Sequence, residues 1–233
     1  MKASDIIRPF RPLIVRKERW GLSWRGRIIV ALAVLLIGWW LVLNVHPFLA
    51  VTHRDPARIL VVEGWIHIYG VDAAVDEFKT GRYDMVLTTG GPVEGMGNTG
   101  SIYDTDAYQS AGFLKKAGIP AENVQSVPSR FVGRDRTYAC AAALREWLRA
   151  NDPQASAINV LTEDAHARRT RLLFQEALGP GIKVGIISAV NPDYDAIHWW
   201  RSSAGVREVI NESIAYVYAK FFFWPAAQPR NRK

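Results

Sequence analysis

"VLTEDAHARRTRLLF", residues 160–174, closes an apolar β-like run and opens a helical one within a few residues. The run it completes, "AINVLT" (157–162), reads as a buried strand, and 165–178 reads as a helix. A strand that hands over so directly to a helix is half of a βαβ unit, in which parallel strands are joined by covering helices. The same handover recurs along the chain. "RILVVEG" (58–64) is a strand followed by a helix over 71–81 that Gly81 ends. "DMVLTTGG" (84–91) stops at paired glycines, the loop "PVEGMGNTGS" (92–101) follows, and 103–118 is helical. "NVQSVP" (123–128) leads to a helix over 135–151, where Leu144 and Leu148 sit one turn apart. "KVGIIS" (183–188) is a fifth strand, and a last helix runs from about Ala204 to Phe223. This alternation predicts an α/β fold: a Rossmann-like, doubly wound parallel sheet of about five strands.

Such a sheet binds ligands beyond the carboxyl ends of its strands, where the strand order reverses. With the order 3-2-1-4-5 the reversal falls between strands one and four. Their ends are Glu63-Gly64-Trp65 and Thr162-Glu163-Asp164, with Thr88, Thr89, Gly90 and Gly91 of strand two alongside. Thr162 to Asp164 can cap the helix that follows, whose free N–H groups would face an anion. His166 and Arg169 share a helix face that continues through Leu173 and Ala177 into the core, whereas Arg168 and Arg171 point to solvent. Arg169 either clamps a phosphate or carboxylate, or pairs with Glu163 or another nearby acid; His166 either moves a proton or is structural. In "RDRT" (134–137), Asp135 is a natural N-cap, and Arg136 and Thr137 fall in the first turn of a helix starting at the same edge. Glu63 suits general-base work, or a salt bridge to Arg169 or Arg136. Gly90-Gly91 is either an anion or sugar cradle or a plain tight turn. The glycine-rich loop lacks the Lys-Ser/Thr of a P-loop and does not form a G-x-G-x-x-G fingerprint. The single cysteine, Cys140, excludes an intrachain disulfide and reads as a small buried hydrophobe rather than a catalytic thiol.

Three regions organise the chain: a basic head (1–27), an apolar anchor (28–50) and the α/β domain (51–233) with its C-terminal amphipathic helix. The head holds eight Lys or Arg and two acids, so it carries +6 of the net +7. A near-neutral body behind a basic head is not a nucleic-acid footprint, and no nucleic-acid partner is expected. "IIVALAVLLIGWWLVLNV" (28–45) is uncharged and at about 1.5 Å per residue spans most of a ~30 Å hydrocarbon core. Basic residues before the span predict a cytoplasmic N-terminus, a single pass through a bacterial inner membrane and a periplasmic domain. The apolar run is long for a cleaved signal peptide, and Phe48 spoils the small-x-small cleavage pattern. In the last helix Glu208 and Glu212 share a face, as do Tyr216 and Lys220. "FFFW" (221–224) is expected to pack on the core rather than dip into the membrane interface.

From Arg58 to about Phe222 the chain resembles the SanA/ElyC/YdcF family of bacterial envelope proteins. The resemblance is carried by "TTGG" (Thr88–Gly91), by Asp106-Ala107 twelve residues before Gly118-Ile119-Pro120, by Arg136-Thr137, and by the spacing of His166, Arg169 and Phe174. In the family's Arg-Thr-x-Glu-Asn-Ala motif, Ala139 and Cys140 replace the acid and amide here, and "VVEGW" replaces a pair of glycines. A subset linked to exopolysaccharide regions is similar in its "EGW", "ARR" and "WW" elements. The resemblance implies an anchored Rossmann-like domain in envelope, peptidoglycan-precursor or surface-polysaccharide metabolism. The expected ligand is a phosphate-bearing small molecule or lipid-linked glycan. Arg136 and Arg169 would hold the phosphate beside Gly90, Gly91, Thr89, Thr137 and Thr162. His166 would serve as acid or base, and Glu63 or Asp106 would orient a hydroxyl. The rival expectations are a non-catalytic regulatory or binding protein and a binder of a nucleotide-like cofactor such as S-adenosylmethionine, which one family member is described as binding. The missing glycine fingerprint and a periplasmic location count against the last, so the cofactor is left unknown and no metal is expected.

Overall fold

The computed structural model describes residues 22–93, 101–129 and 135–225. Most of the basic head (1–21), most of the glycine loop (94–100) and Arg134 of "RDRT" lie outside the described residues. The chain divides into two compact units, Met1–Trp40 and Leu41–Lys233.

The second unit contains a five-stranded, all-parallel sheet in the order β3-β2-β1-β4-β5. The strands are β1 Ile59–Glu63, β2 Met85–Gly90, β3 Val124–Pro128, β4 Ala157–Glu163 and β5 Lys183–Ala189. The three central strands, β2, β1 and β4, are buried almost throughout because helices cover both faces, which leaves no solvent side to favour alternation. Helices α4 (Arg136–Asn151) and α5 (Ala167–Leu178) pack on one face through Ala141, Leu144, Leu148, Phe174 and Ala177 against Val61, Leu87 and Val160. Helices α2 (Ile68–Phe78) and α3 (Asp106–Lys116) pack on the other, with Ala74, Val75, Ala111 and Leu114 against Leu60, Val62, Val86 and Leu161.

Helix starts differ from the sequence reading, each for a local reason. The α2 helix begins at Ile68 because the Glu163 carboxylate accepts from the His67 backbone N–H, so a strand-end acid satisfies its first turn. A short 3-10 turn occupies Ile102–Asp104, and α3 starts only at Asp106, capped by Thr105, whose Oγ1 accepts from Tyr108 N at 3.3 Å. Thr162 to Asp164 do not cap α5. β4 runs through to Glu163, Asp164 takes φ +30°, and a 3-10 turn Asp164–His166 precedes α5.

The start of α3 lies so close to the sheet that glycine is obligatory at two strand ends. A Cβ on Gly64 would sit 2.6 Å from the Asp106 carbonyl, and one on Gly90 would sit 2.5 Å from Ala107 N. The Gly90 position is therefore filled by the protein's own backbone. The space a side chain would need there belongs to α3.

The helix α1, Trp24–Leu49, is long and apolar enough to cross a membrane, with a mean hydropathy of 2.6 over an 18-residue window. Its final turns belong to the α/β unit. Leu49 and His46 are buried, and Val42 and Val45 pack with Tyr194, Trp199 and Val209 of α6 (Ser203–Phe221). His46 Nε2 lies 3.1 Å from Asp164 Oδ1, Tyr194 donates its hydroxyl to the same carboxylate, and Trp199 Nε1 donates to the Val42 carbonyl at 2.9 Å. Arg168 donates to the Phe48 carbonyl and lies over that ring at 3.9 Å, and Arg171 donates to the Val184 carbonyl at 2.9 Å. Neither is the plain solvated charge expected of it; each ties a helix to a neighbouring segment. The "FFFW" expectation holds only for Phe223, whose ring lies 5.1 Å from that of Tyr138 at the edge of the core; Phe221, Phe222 and Trp224 are 68%, 65% and 85% exposed. These three fall at and beyond the C-terminus of α6, past the part that packs on the core.

Two stability outcomes follow. Gly90→Ala must push α3 off the sheet and is expected to destabilise the protein by about 1–3 kcal/mol in urea unfolding. His46→Ala leaves the buried Asp164 with one partner fewer and is expected to lower stability by a similar amount, about 1–3 kcal/mol.

Candidate functional site

Parallel register brings the carboxyl ends of β1, β2 and β4 level with one another. Glu63 pairs with Thr89, and one step beyond Val62–Leu161 it stands beside Thr162. All three side chains therefore project to the face covered by α4 and α5, as a polar layer above Val61, Leu87 and Val160. A cleft of about 660 Å³ opens there. Glu63, Thr89, Gly90, Gly91, Asp106, Arg136, Thr137, His166 and Arg169 line it, so all but one of the residues singled out from sequence converge on one site. The exception, Thr162, is fully buried at the end of β4.

Convergence does not give each residue its expected partner. Arg169 is not open to an anion. It donates Nε to Glu212 Oε2 at 2.8 Å and Nη2 to Glu212 Oε1 at 2.9 Å, a two-pronged pair from α5 to α6. Glu212 is also 3.0 Å from His166 Nδ1. Burial pushes the Glu212 carboxyl up, but the hydrogen bonds from His166 and Arg169 together outweigh it and hold the group down at about 2. One turn earlier, Glu208 is shifted the other way, upward, by burial and then by the Glu212 charge. Arg136 donates Nη2 to Asp106 Oδ2 at 3.0 Å, so Asp106 holds an arginine rather than orienting a hydroxyl. Glu63 pairs with neither arginine; it is 2% exposed and accepts from Thr170 Oγ1 at 3.0 Å.

Asp135 stands at the N-cap of α4 but takes a left-handed backbone (φ 62°, ψ 40°), and its side chain caps nothing. This corrects its sequence reading. Asp135, Arg136 and Thr137, at the start of α4, line the cleft. Cys140 also borders the cleft, where burial and then the Glu63 charge push its thiol up to about 12, as suits a buried hydrophobe rather than a nucleophile.

Sequence reasoning missed Trp65, Thr170, Glu208 and Glu212 as members of the site. Trp65 lines the cleft, 37% exposed, with its ring edge-on to His166 at 4.8 Å. The i, i+4 spacing of Glu208 and Glu212 was a usable signal, but nothing local shows that α6 returns to the far side of the cleft. Among the described residues no group of three or more His, Cys, Asp or Glu side chains is placed to hold a metal ion. In comparisons with known proteins, no family model matches the chain and no curated protein matches it significantly.

The Glu212 cluster has a pH signature. A carboxyl held near 2 in the folded protein and near 4.5 when unfolded adds stability above pH 4.5, and that stability fades as pH falls from 4.5 toward 2. Glu212→Gln should unfold more readily than wild type at pH 7, and the gap should narrow by pH 3. Unfolding midpoints in urea at the two pH values measure it.

Proposed function

We propose that the protein is an inner-membrane envelope factor of the SanA/ElyC/YdcF type, anchored by α1 with the α/β domain in the periplasm. It binds a phosphate-bearing, lipid-linked glycan intermediate in the cleft and acts on it by acid–base chemistry. The observation that carries the reading is the first turn of α4, whose Arg136 and Thr137 line the same cleft as His166. A phosphate takes hydrogen bonds from helix N-termini and from arginine, so one anion there satisfies both. Arg136 contacts the Asp106 carboxylate, its own side chain is 38% exposed, and a bidentate phosphate competes with that contact. Arg169, which the sequence favoured as the clamp, instead aligns His166 through Glu212. The half-exposed face of Trp65 gives a sugar ring a surface to stack on beside the acids. The anchor supports a lipid-borne ligand, because the turns of α1 that end the apolar helix are built into the domain that carries the cleft.

A second reading, a non-catalytic docking protein, is favoured by one observation. Val206, Ile210, Ile214, Val217 and Phe221 form an exposed apolar stripe along the whole of α6, 38–68% exposed. It predicts that substitutions along this stripe abolish function while cleft substitutions do not.

The purified full-length protein, titrated in detergent with undecaprenyl phosphate, tests the first reading. Arg136→Ala should weaken binding roughly ten- to a hundredfold, the loss of one charged hydrogen-bond donor set. His166→Ala should bind normally. Equal binding by wild type and Arg136→Ala refutes the phosphate site.

A further inference from the structure

The floor of the cleft contains more unmet hydrogen-bonding capacity than a resting core tolerates. Three side-chain atoms at that floor and just beneath it are buried and without a hydrogen-bond partner among the described residues: Thr89 Oγ1, Thr162 Oγ1 and His166 Nε2. Thr89 and Thr162 flank Glu63 on the neighbouring strands, and Glu63 is held by Thr170 and lies 3.7 Å from His166 Nε2, too far for a direct hydrogen bond. Buried polar atoms are normally paired, and each orphan costs about 1–3 kcal/mol, so three around one carboxylate mark a place built to receive something polar.

The protonation of His166 narrows what it receives. Nδ1 lies 2.9 Å from Arg169 Nη2, which only donates, and 3.0 Å from Glu212 Oε1, which only accepts because Glu212 is held ionised. Arg169 gives Nε and one Nη2 hydrogen to Glu212. A ring proton on Nδ1, directed at Glu212, avoids lone-pair repulsion with that carboxylate. In the neutral ring Nε2 then presents its lone pair toward the Glu63 carboxylate. Two acceptors 3.7 Å apart need a donor with two hydrogens between them, and two hydroxyls alongside can donate to its oxygen. Water fits all four positions.

We propose that Glu63, Thr89, Thr162 and His166 form a nucleophile pocket that holds one water molecule, and that the protein is therefore a hydrolase of phosphate anhydrides or esters. This deepens the reading above and rests on its phosphate site. The water oxygen forms a bond to phosphorus as the P–O bond to the departing group breaks, and the bonding pair leaves with that oxygen. One water proton passes to His166 Nε2, giving an imidazolium stabilised by Glu212, and is then returned to the departing oxygen. Glu63, fixed by Thr170, and the two threonines are positioning residues that aim the water. Trp65, packed edge-on against the imidazole, screens it from bulk solvent.

Turnover of farnesyl pyrophosphate by the full-length protein in ¹⁸O-water tests the pocket, with binding of the same compound to wild type and Arg136→Ala measured in parallel. The inference expects one ¹⁸O atom per turnover in the released phosphate or the prenyl monophosphate. Thr162→Val and Thr89→Val, which lose a hydroxyl at nearly constant volume, should each lower kcat at least tenfold with KM and unfolding midpoint unchanged. His166→Gln should lose turnover but still bind. Arg136-dependent binding without ¹⁸O incorporation, or both Thr→Val variants folded and fully active, overturns the water pocket and leaves the phosphate reading standing. Absence of Arg136-dependent binding overturns both.

Discussion

The parallel pairing of β1 with β2 on one side and β4 on the other is the constraint on which the rest of this molecule depends. Because parallel strands need crossover helices, each strand end is followed by a helix start on the same edge of the sheet. That edge collects free backbone N–H groups, strand-end side chains and first-turn side chains in one place. The register sets Glu63, Thr89 and Thr162 abreast, and no rearrangement of loops would separate them. Gly64 and Gly90 are the local condition for the arrangement, since α3 can reach the edge only where two strands end without a Cβ.

Charge at that edge is arranged by pairing rather than by excess. The described lining contains the carboxyls of Glu63, Asp106, Asp135, Glu208 and Glu212 and the guanidiniums of Arg136 and Arg169. A buried charge is tolerated only when it is matched, and the Arg169–Glu212 pair meets this condition with two hydrogen bonds that also fix the imidazole between them. The cluster works as a rigid support for one histidine. His46, at the end of α1, is held by Asp164 two residues before His166, so the apolar N-terminal helix and the histidine-bearing turn share one buried carboxylate.

Much of this was legible in the chain. Apolar runs alternating with helical periodicity led to the parallel sheet and, once the order 3-2-1-4-5 is taken, to the location of the cleft, because those signals are local and the handedness of βαβ crossovers leaves few topologies. His166 and Arg169 were found from their i, i+3 spacing. What failed were assignments of partner. Arg169 read as an anion clamp or a partner of Glu163 because no acid lies three or four residues from it on its own helix; the acid arrives from α6, 43 residues further on. Asp135 read as a cap because its residue type favours capping, but its left-handed backbone turns the side chain away.

By itself, the sequence determined the parallel α/β sheet, the apolar N-terminal helix and which residues stand at the carboxyl edge, since burial pattern and helical period are properties of short segments. Only the tertiary structure decided who meets whom. It gave Arg169 to Glu212, Arg136 to Asp106 and His46 to Asp164, and it left the far nitrogen of His166 open beside Glu63. Those outcomes depend on distances between segments far apart in the chain, and an ion pair forms with whichever opposite charge folding brings within about 3 Å.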